Sequence, residues 1–561
     1  MGPPTPREPL AELRTAVVGA ATSVAEQAAN VDGIKLERSP RPEMGDYSTN
    51  AAMLIAPSRG QAPRDVAALM RKDLGDRLGD HVTRIDVAGP GFLNLFLTDR
   101  WHRDAAAALL GVGEAYGTSI AAAPERILVE FVSANPTGPL TAAGGRGAAY
   151  GDSLARLLEA TGHDVGREYL LNDIGGQVER FAASIAAHMR GEPIPEDGYG
   201  GRYVADLAAE LVDAGLDPRD LEDLGQRGTE AMQARIARSL ERFGVRFDTW
   251  FSERTLHDSG AVEATVEELR GRGHAYDSEG AVWLRTTEFG DEKDRVLIRS
   301  GGEPTYFAAD IAYHHDKLGR GWERMIDPLG SDHHGYVPRM RAALEALSGA
   351  GEAYEAPIMQ LVQIVEGGER ARMSKRKGQF VTLDELMDDI GVDATRFFML
   401  QRSHDTALDL DLGLARKASQ DNPVYYVQYA HARIASILRR AVAEGVVPAG
   451  SEDGPDESWI TERAASGPAL HAPAEASERL LTRRLLDLPA EVSEAAERRA
   501  PHRLCAYAAA TAADFHAFYR DCQVVGVPEP AQAARLALCV AARRVVATTL
   551  GLLGVSAPER M

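Results

Sequence analysis

The stretch from residue 127 to residue 162 constrains the fold more than any other part of the chain. Ile127-Leu128-Val129-Glu130-Phe131-Val132 is a run of β-formers interrupted by one carboxylate, the signature of a buried strand. A turn rich in Pro, Gly and Asn follows, from Ser133 to Pro139. Tyr150, Leu154, Leu157 and Leu158 then fall at i, i+4, i+7 and i+8, one face of a helix. Gly162 stands where a C-cap glycine belongs. Strand, glycine-containing loop and helix make the first half of a βαβ unit, so an α/β domain is expected. A helix N-terminus after such a loop favours anions.

The rest of the chain is read around that unit. Its 561 residues predict three or four domains at about 100–200 residues each. With 44% hydrophobic and 26% charged residues, neither a mostly disordered nor a collagen-like chain is expected. The charge is 62 − 83 = −21. That excludes a basic nucleic-acid coat but is compatible with a local basic groove. No run of about 18 apolar residues occurs, so no membrane helix is expected. Met1 to Glu8 lacks a basic region followed by an apolar core, so no secretory signal is expected. Cys505, Cys522 and Cys539 fit neither paired zinc ligands nor a disulfide framework. Reduced thiols, a cytoplasmic protein and no structural metal are expected.

Three modules are expected. Residues 1–105 read as a small α/β module, with a helical pattern at Leu10–Ala29 and a strand at Phe92–Leu97. Residues 106–420 read as the main α/β domain, with an insertion at about 190–295 in which Ala281–Leu284 is the clearest strand. Residues 421–561 read as helical, with Gly450–Ala474 expected to be a solvated loop.

Four constellations suggest chemistry. Glu130, in an apolar strand, needs a partner; with Asn135 it suits a cation, and the plain alternative is an outward carboxylate and a turn residue. The same stretch runs on to Gly144-Gly145-Arg146-Gly147, a weak phosphate signal that lacks the Walker lysine spacing. Met373-Ser374-Lys375-Arg376-Lys377-Gly378 suits either a polyphosphate clamp or a solvated face. Gly330-Ser331-Asp332-His333-His334-Gly335 suits a ribose and base, or a plain polar loop; a metal fits poorly without a cysteine or HExxH partner. Tyr306 and Asp310 are i, i+4 neighbours on a helix and suit a cationic ligand.

Together these motifs resemble the class I aminoacyl-tRNA synthetases, specifically the bacterial arginyl-tRNA synthetases, over essentially the whole chain. Gly45 to Asn50 and Ala88 to Phe92 resemble the family's N-terminal tRNA-contacting domain, Val129 to Leu140 its first catalytic strand and turn, and Tyr306 to His314 its arginine-binding helix. Gly330 to Tyr336 resembles the nucleotide-site loop, Met373 to Arg376 the KMSKS-type loop, and Tyr425 to Arg433 the opening of the anticodon-binding domain. The resemblance implies a Rossmann-type catalytic domain between an N-terminal α/β domain and an all-α anticodon-binding domain. It implies that ATP, with Mg²⁺, activates L-arginine, which then passes to tRNA(Arg), in a monomeric enzyme. Glu130, Ser133, Asn135, Tyr306 and Asp310 are then expected on arginine. Pro139, Gly145, Asp332, His333, His334, Met373, Ser374 and Lys375 are expected on ATP. Thr141, Gly144, Arg146 and Lys375 are expected to be catalytic. Tyr47, Asn50, Phe92, Tyr425 and Arg433 are expected on tRNA.

One departure stands out. Where the family carries His-Val-Gly-His and then Gly-Arg, this chain has Thr141-Ala142-Ala143-Gly144 and then Gly145-Arg146. Losing one phosphate donor typically costs about 2.7–4 kcal/mol in the transition state. The resemblance therefore implies an arginine–tRNA ligase, impaired or compensated. The alternative is a paralogue that binds arginine or tRNA for a regulatory or biosynthetic role.

Overall fold

The computed structural model describes residues 9–25, 31, 33–118, 123–333, 335–367, 369–370, 381–450, 454–465 and 467–561. His334 and the whole Met373–Gly378 motif lie outside the described residues.

The chain begins with helix α1 (Pro9–Val24), β1 (Leu36–Arg38), β2 (Tyr47–Thr49), α2 (Ala51–Arg59), α3 (Pro63–Leu78), β3 (Val82–Ala88) and β4 (Phe92–Leu97). The strands form an antiparallel sheet in the order β1-β2-β4-β3. Its core is built from Leu13, Val17, Ile55, Met70, Leu93 and Leu95. Helix α4 (Asp99–Val112) leads out, capped by the Thr98 hydroxyl, which accepts from the Trp101 amide.

The central domain holds β5 (Arg126–Glu130), α5 (Ala142–Ala160) and β6 (Asp164–Leu171). Gly162 has φ +89 and closes α5 as the sequence pattern requires. Three helices follow, α6 (Gly176–Arg190), α7 (Arg202–Asp213) and α8 (Leu221–Arg242), with a small core of their own around Phe181, Leu207 and Met232. Next come β7 (Thr249–Ser252), α9 (Glu253–Asp258), α10 (Ala261–Gly271), β8 (Ala275–Ser278), β9 (Ala281–Leu284), β10 (Arg295–Ile298), α11 (Tyr306–Gly319), β11 (Arg324–Ile326), β12 (Leu329–Gly330), α12 (Tyr336–Ser348) and β13 (Tyr354–Glu355). The main sheet is parallel, in the order β13-β11-β5-β6-β7. The expected single insertion is therefore two excursions, because β7 returns to the sheet edge between them. Thr249, Trp250 and Phe251 are β-formers, but so short a run does not say which sheet it joins; its pairing with β6 decides that.

The remaining strands are β14 (Ile358–Met359), β15 (Val362–Glu366), β16 (Glu369–Arg370) and β17 (Leu408–Asp411), with helices α13 (Leu383–Ile390), α14 (Val392–Leu400) and α15 (Leu412–Ala415). From Asn422, whose side chain accepts from the Val424 amide, the fold is helical: α16 (Pro423–Ala443), α17 (Glu457–Ala465), α18 (Ala476–Leu486), α19 (Leu488–Glu497), α20 (His502–Asp521) and α21 (Ala531–Leu552). Helix α17 lies in the stretch expected to be a loop. Ile460 and Ala464 are buried one turn apart, so this short segment is helical because it packs. The three cysteines are free and buried.

Candidate functional site

The site forms where the parallel strands end, the usual place for a ligand in an open α/β sheet. The chain leaves β5 through two successive left-handed residues, Val132 (φ 70) and Ser133 (φ 37). Non-glycine residues in that region cost about 1–3 kcal/mol each, so the surroundings must impose the turn. Ser133 Oγ donates to Glu130 Oε1 at 2.8 Å and accepts from the Leu170 amide at 3.1 Å. The Tyr169 hydroxyl donates to the Ala134 carbonyl at 2.8 Å. Asn135 accepts from Asn172 Nδ2 at 2.9 Å and donates to Gln177 Oε1 at 2.8 Å.

Glu130 has a partner, and it is internal. Lys317, completely buried on α11, donates to Glu130 Oε2 at 2.6 Å and to Asp327 Oδ1 at 3.2 Å. Burial opposes the ammonium charge, but Asp327 and Glu130 outweigh it and hold the pKa above its ordinary value. His314 Nε2 lies 2.8 Å from Asp327 Oδ2. The cation anticipated for Glu130 is thus Lys317, and Glu130, Ser133 and Asn135 form the scaffold of the loop.

Tyr306 and Asp310 share α11, with Tyr306 75% exposed. The Tyr336 hydroxyl donates to Asp310 Oδ2. Burial pushes the Asp310 carboxyl up; the Tyr336 bond and His314 oppose this, and Glu130 adds to it. Glu253, the first residue of α9, stands at the end of β7 and is pushed up to about 7 by burial, then by the charges of Asp310 and Asp173. Asp173 itself accepts from Ser252 Oγ at 2.6 Å. The charges acting most on Glu253 are therefore both negative, and among the described residues it has no ion-pair partner. Such a cluster of carboxylates suits a cation. Sequence reasoning missed Glu253 and Asp173, whose only signal is a Ser-Glu pair at the end of a strand that looks unremarkable alone.

Helix α5 begins at the departure from the family pattern. The Thr141 Oγ1 accepts from the Gly144 amide at 3.2 Å, a helix N-cap. The Ala142 amide donates to the Val381 carbonyl at 2.9 Å. Ala143 is exposed, and Gly144 half-buried. Among the described residues, a Cβ at Gly144 would meet only Thr141 Oγ1 at 3.7 Å and Leu140 Cδ2 at 3.9 Å, so these neighbours leave room for a side chain.

Arg146 and Gly145, expected at the phosphates, both have structural roles. Arg146 is buried, and its guanidinium donates to the carbonyls of Gln360, Ser403 and Thr406 at 2.8–2.9 Å. It staples loops together because it sits one turn into α5 on the inward face. Gly145 is buried, and a Cβ there would come within 2.8 Å of Leu383 Cδ1; it is a packing glycine. Pro139 is half-buried in the turn before α5. Asp332 and His333 lie on an exposed turn after β12, 3.6 Å apart.

The residues expected on tRNA divide. Tyr47 is buried in the first core, edge-on to Trp101, because the inward face of β2 puts it there. Asn50 is spent on its own loop, accepting from the Lys35 amide at 2.8 Å and donating to the Gly33 carbonyl at 3.3 Å. Phe92 is half-buried at the start of β4. Tyr425 and Arg433 share one face of α16 with Tyr429. Tyr425 stacks on Tyr429 at 6.2 Å, and the Arg433 guanidinium lies between Tyr429 and Tyr519, 4.9 and 4.8 Å from their rings. Arg433, Arg440, Arg520 and Tyr519 line a cavity of about 630 Å³.

Residues 11–97 match the model of the arginyl tRNA synthetase N terminal domain, and residues 427–561 that of the DALR anticodon binding domain. Over 540 residues, 94% of this chain and 94% of its own length, the Arginine–tRNA ligase of Carboxydothermus hydrogenoformans is 44% identical. The chain belongs to the arginyl-tRNA synthetase family. Another member, the Arginine–tRNA ligase of Kineococcus radiotolerans, is 44% identical over 99% of this chain and 100% of its own. The family fold is shared with Thermus thermophilus arginyl-tRNA synthetase, at TM-score 0.72 and 24% identity over 98% of this chain and 99% of that one. Arginyl-tRNA synthetase of Plasmodium falciparum superposes at TM-score 0.73, 14% identical over 99% and 100% of the two chains. As a family member the chain is an aminoacyl-tRNA synthetase, with a class I Rossmann-type catalytic domain and a helical DALR domain.

Proposed function

We propose that this chain charges tRNA(Arg) with L-arginine at the expense of ATP. The observation that carries this reading is the carboxylate cluster of Asp310, Glu253 and Asp173, in which the charges acting most on Glu253 are both negative. A guanidinium supplies the positive charge that Glu253 lacks, and a fork-shaped donor matches carboxylates better than an ammonium does. The arginine carboxylate attacks the α-phosphate of ATP, releasing pyrophosphate, and the arginyl group then moves to the 3′-terminal ribose of the tRNA. Asp310 and Glu253 hold the cation, Tyr336 orients Asp310, and Glu130, Ser133 and Asn135 keep the loop in place.

Nucleotide phosphates meet the start of α5, where Thr141 supplies the cap and a hydroxyl in place of the family's imidazoles. Lys375, Ser374 and Met373, with His334, complete the ATP site in this reading, and Asp332 and His333 flank it. Among the described residues no three His, Cys, Asp or Glu converge on an ion. Mg²⁺ suits the nucleotide phosphates, since it commonly keeps its waters and uses one or two carboxylates. Tyr425 and Arg433 offer a stacking and phosphate-binding face to tRNA. We assign 1–105, 106–420 and 421–561 as the tRNA-contacting, catalytic and anticodon-binding domains. Free buried thiols fit a cytoplasmic setting.

Charging of total tRNA by the purified protein, beside the Thr141→His/Gly144→His variant, tests this. Charging by the parent is expected. Charging by the double variant alone would make the natural protein a silenced paralogue that retains its arginine and tRNA sites. Charging by neither would overturn the ligase assignment.

A further inference from the structure

The signature loop Ser133–Pro139 is tied to the three-helix excursion α6–α8 as well as to its own sheet. Tyr203, near the start of α7, donates its hydroxyl to the Thr137 carbonyl at 2.9 Å. A Cβ at Gly138 would come within 3.1 Å of that hydroxyl oxygen and 3.3 Å of Tyr203 Cζ, so loop and ring are in close contact. Gln177, near the start of α6, accepts from Asn135 Nδ2 at 2.8 Å. Tyr199, ahead of α7, reaches the same Gln177 oxygen at 3.5 Å and packs edge-on against Phe181. The loop carbonyls at 134 and 137 are thus each held by a tyrosine hydroxyl, Tyr169 from the sheet and Tyr203 from the excursion.

The excursion has its own core, and none of Asp310, Glu253 and Asp173 lies on its helices. What it gives the site is this pair of contacts. The turn they reach is strained at Val132 and Ser133, and strained backbone persists only where its surroundings over-determine it.

We propose that Tyr203 is a positioning residue for arginine activation: the α6–α8 excursion holds the 133–139 loop in its active shape through Tyr203, seconded by Gln177 and Tyr199. The inference rests on the ligase reading for its kinetic consequence and stands on geometry for its structural one. Burial, with Tyr199 beside it, pushes the Tyr203 hydroxyl above its ordinary pKa, so it remains a donor throughout the working pH range.

The test is hydrogen exchange of the full-length protein across residues 131–140, read beside arginine-charging kinetics. Tyr203→Phe keeps the ring and loses the bond. It is expected to speed exchange at 134–139 by about tenfold, leave the amides of α8 unchanged, and lower kcat with little change in tRNA affinity. In Gly138→Ala the methyl meets the hydroxyl, and adding Tyr203→Phe is expected to restore part of the lost kcat; two independent sites would simply add. Exchange at 134–139 equal to that of the parent would overturn the proposal, whatever the activity. A parent that charges no tRNA would overturn the ligase reading alone, and the exchange result would still decide the loop's support.

Discussion

At the scale of the residue, the informative positions are buried charges and what neutralises them. Breaking a buried charge pair costs about 2–5 kcal/mol in binding. Asp310→Asn is accordingly expected to weaken arginine binding by about that much; calorimetry showing undiminished affinity would remove Asp310 from the pocket. Glu253 titrates near 7 in the folded protein, above its ordinary 4.5. The folded state therefore binds more protons than the unfolded between those values, and Glu253 costs stability as pH rises from about 4.5 to 7. Glu253→Gln should flatten that loss in denaturation curves measured at pH 5 and pH 8. A guanidinium reverses the balance by favouring the carboxylate. Arginine binding near pH 6.5 should release a proton, seen as a dependence of binding heat on buffer ionisation, and the variant should show none.

At the scale of the element, helix α5 joins the signature loop to the interior. Its cap is Thr141, and losing a threonine cap costs about 0.5–2 kcal/mol. Thr141→Ala should lower stability by about 1 kcal/mol, whereas Thr141→Ser should not; equal denaturation midpoints for the two variants would mean that the hydroxyl caps nothing. Arg146 tests the other end of the argument. If it holds three carbonyls, as its bonds indicate, Arg146→Leu should destabilise the protein by about 3 kcal/mol. A phosphate-binding arginine would instead leave the melting temperature alone and remove only turnover. A threonine just ahead of a helical pattern is a residue type that caps helices. That Arg146 turns inward was not legible, because its partners are 214 to 260 residues away.

At the scale of the whole molecule, three parts are bolted together by buried arginines. Arg396 is completely buried and donates to Asp152 on α5, the Phe243 carbonyl beyond α8 and the Leu553 carbonyl beyond α21. Arg483 on α18 pairs with Asp46 of the first module at 3.3 Å. The net charge of −21 means that any tRNA grip is local. Binding should fall steeply with salt, log K against log salt sloping by about 0.7–0.9 per phosphate neutralised; a flat response would remove the basic groove. The sequence by itself determined the βα unit, the helical C-terminal quarter and the family, since each is written in local periodicity or in contiguous motifs. Only the tertiary structure decided that Lys317 neutralises Glu130, that Tyr47 is core, that Arg146 is a staple and that Glu253 stands beside other carboxylates. Those outcomes depend on which strand ends and helix faces meet across long stretches of chain, and burial, which sets the cost of every charge, exists only once they have met.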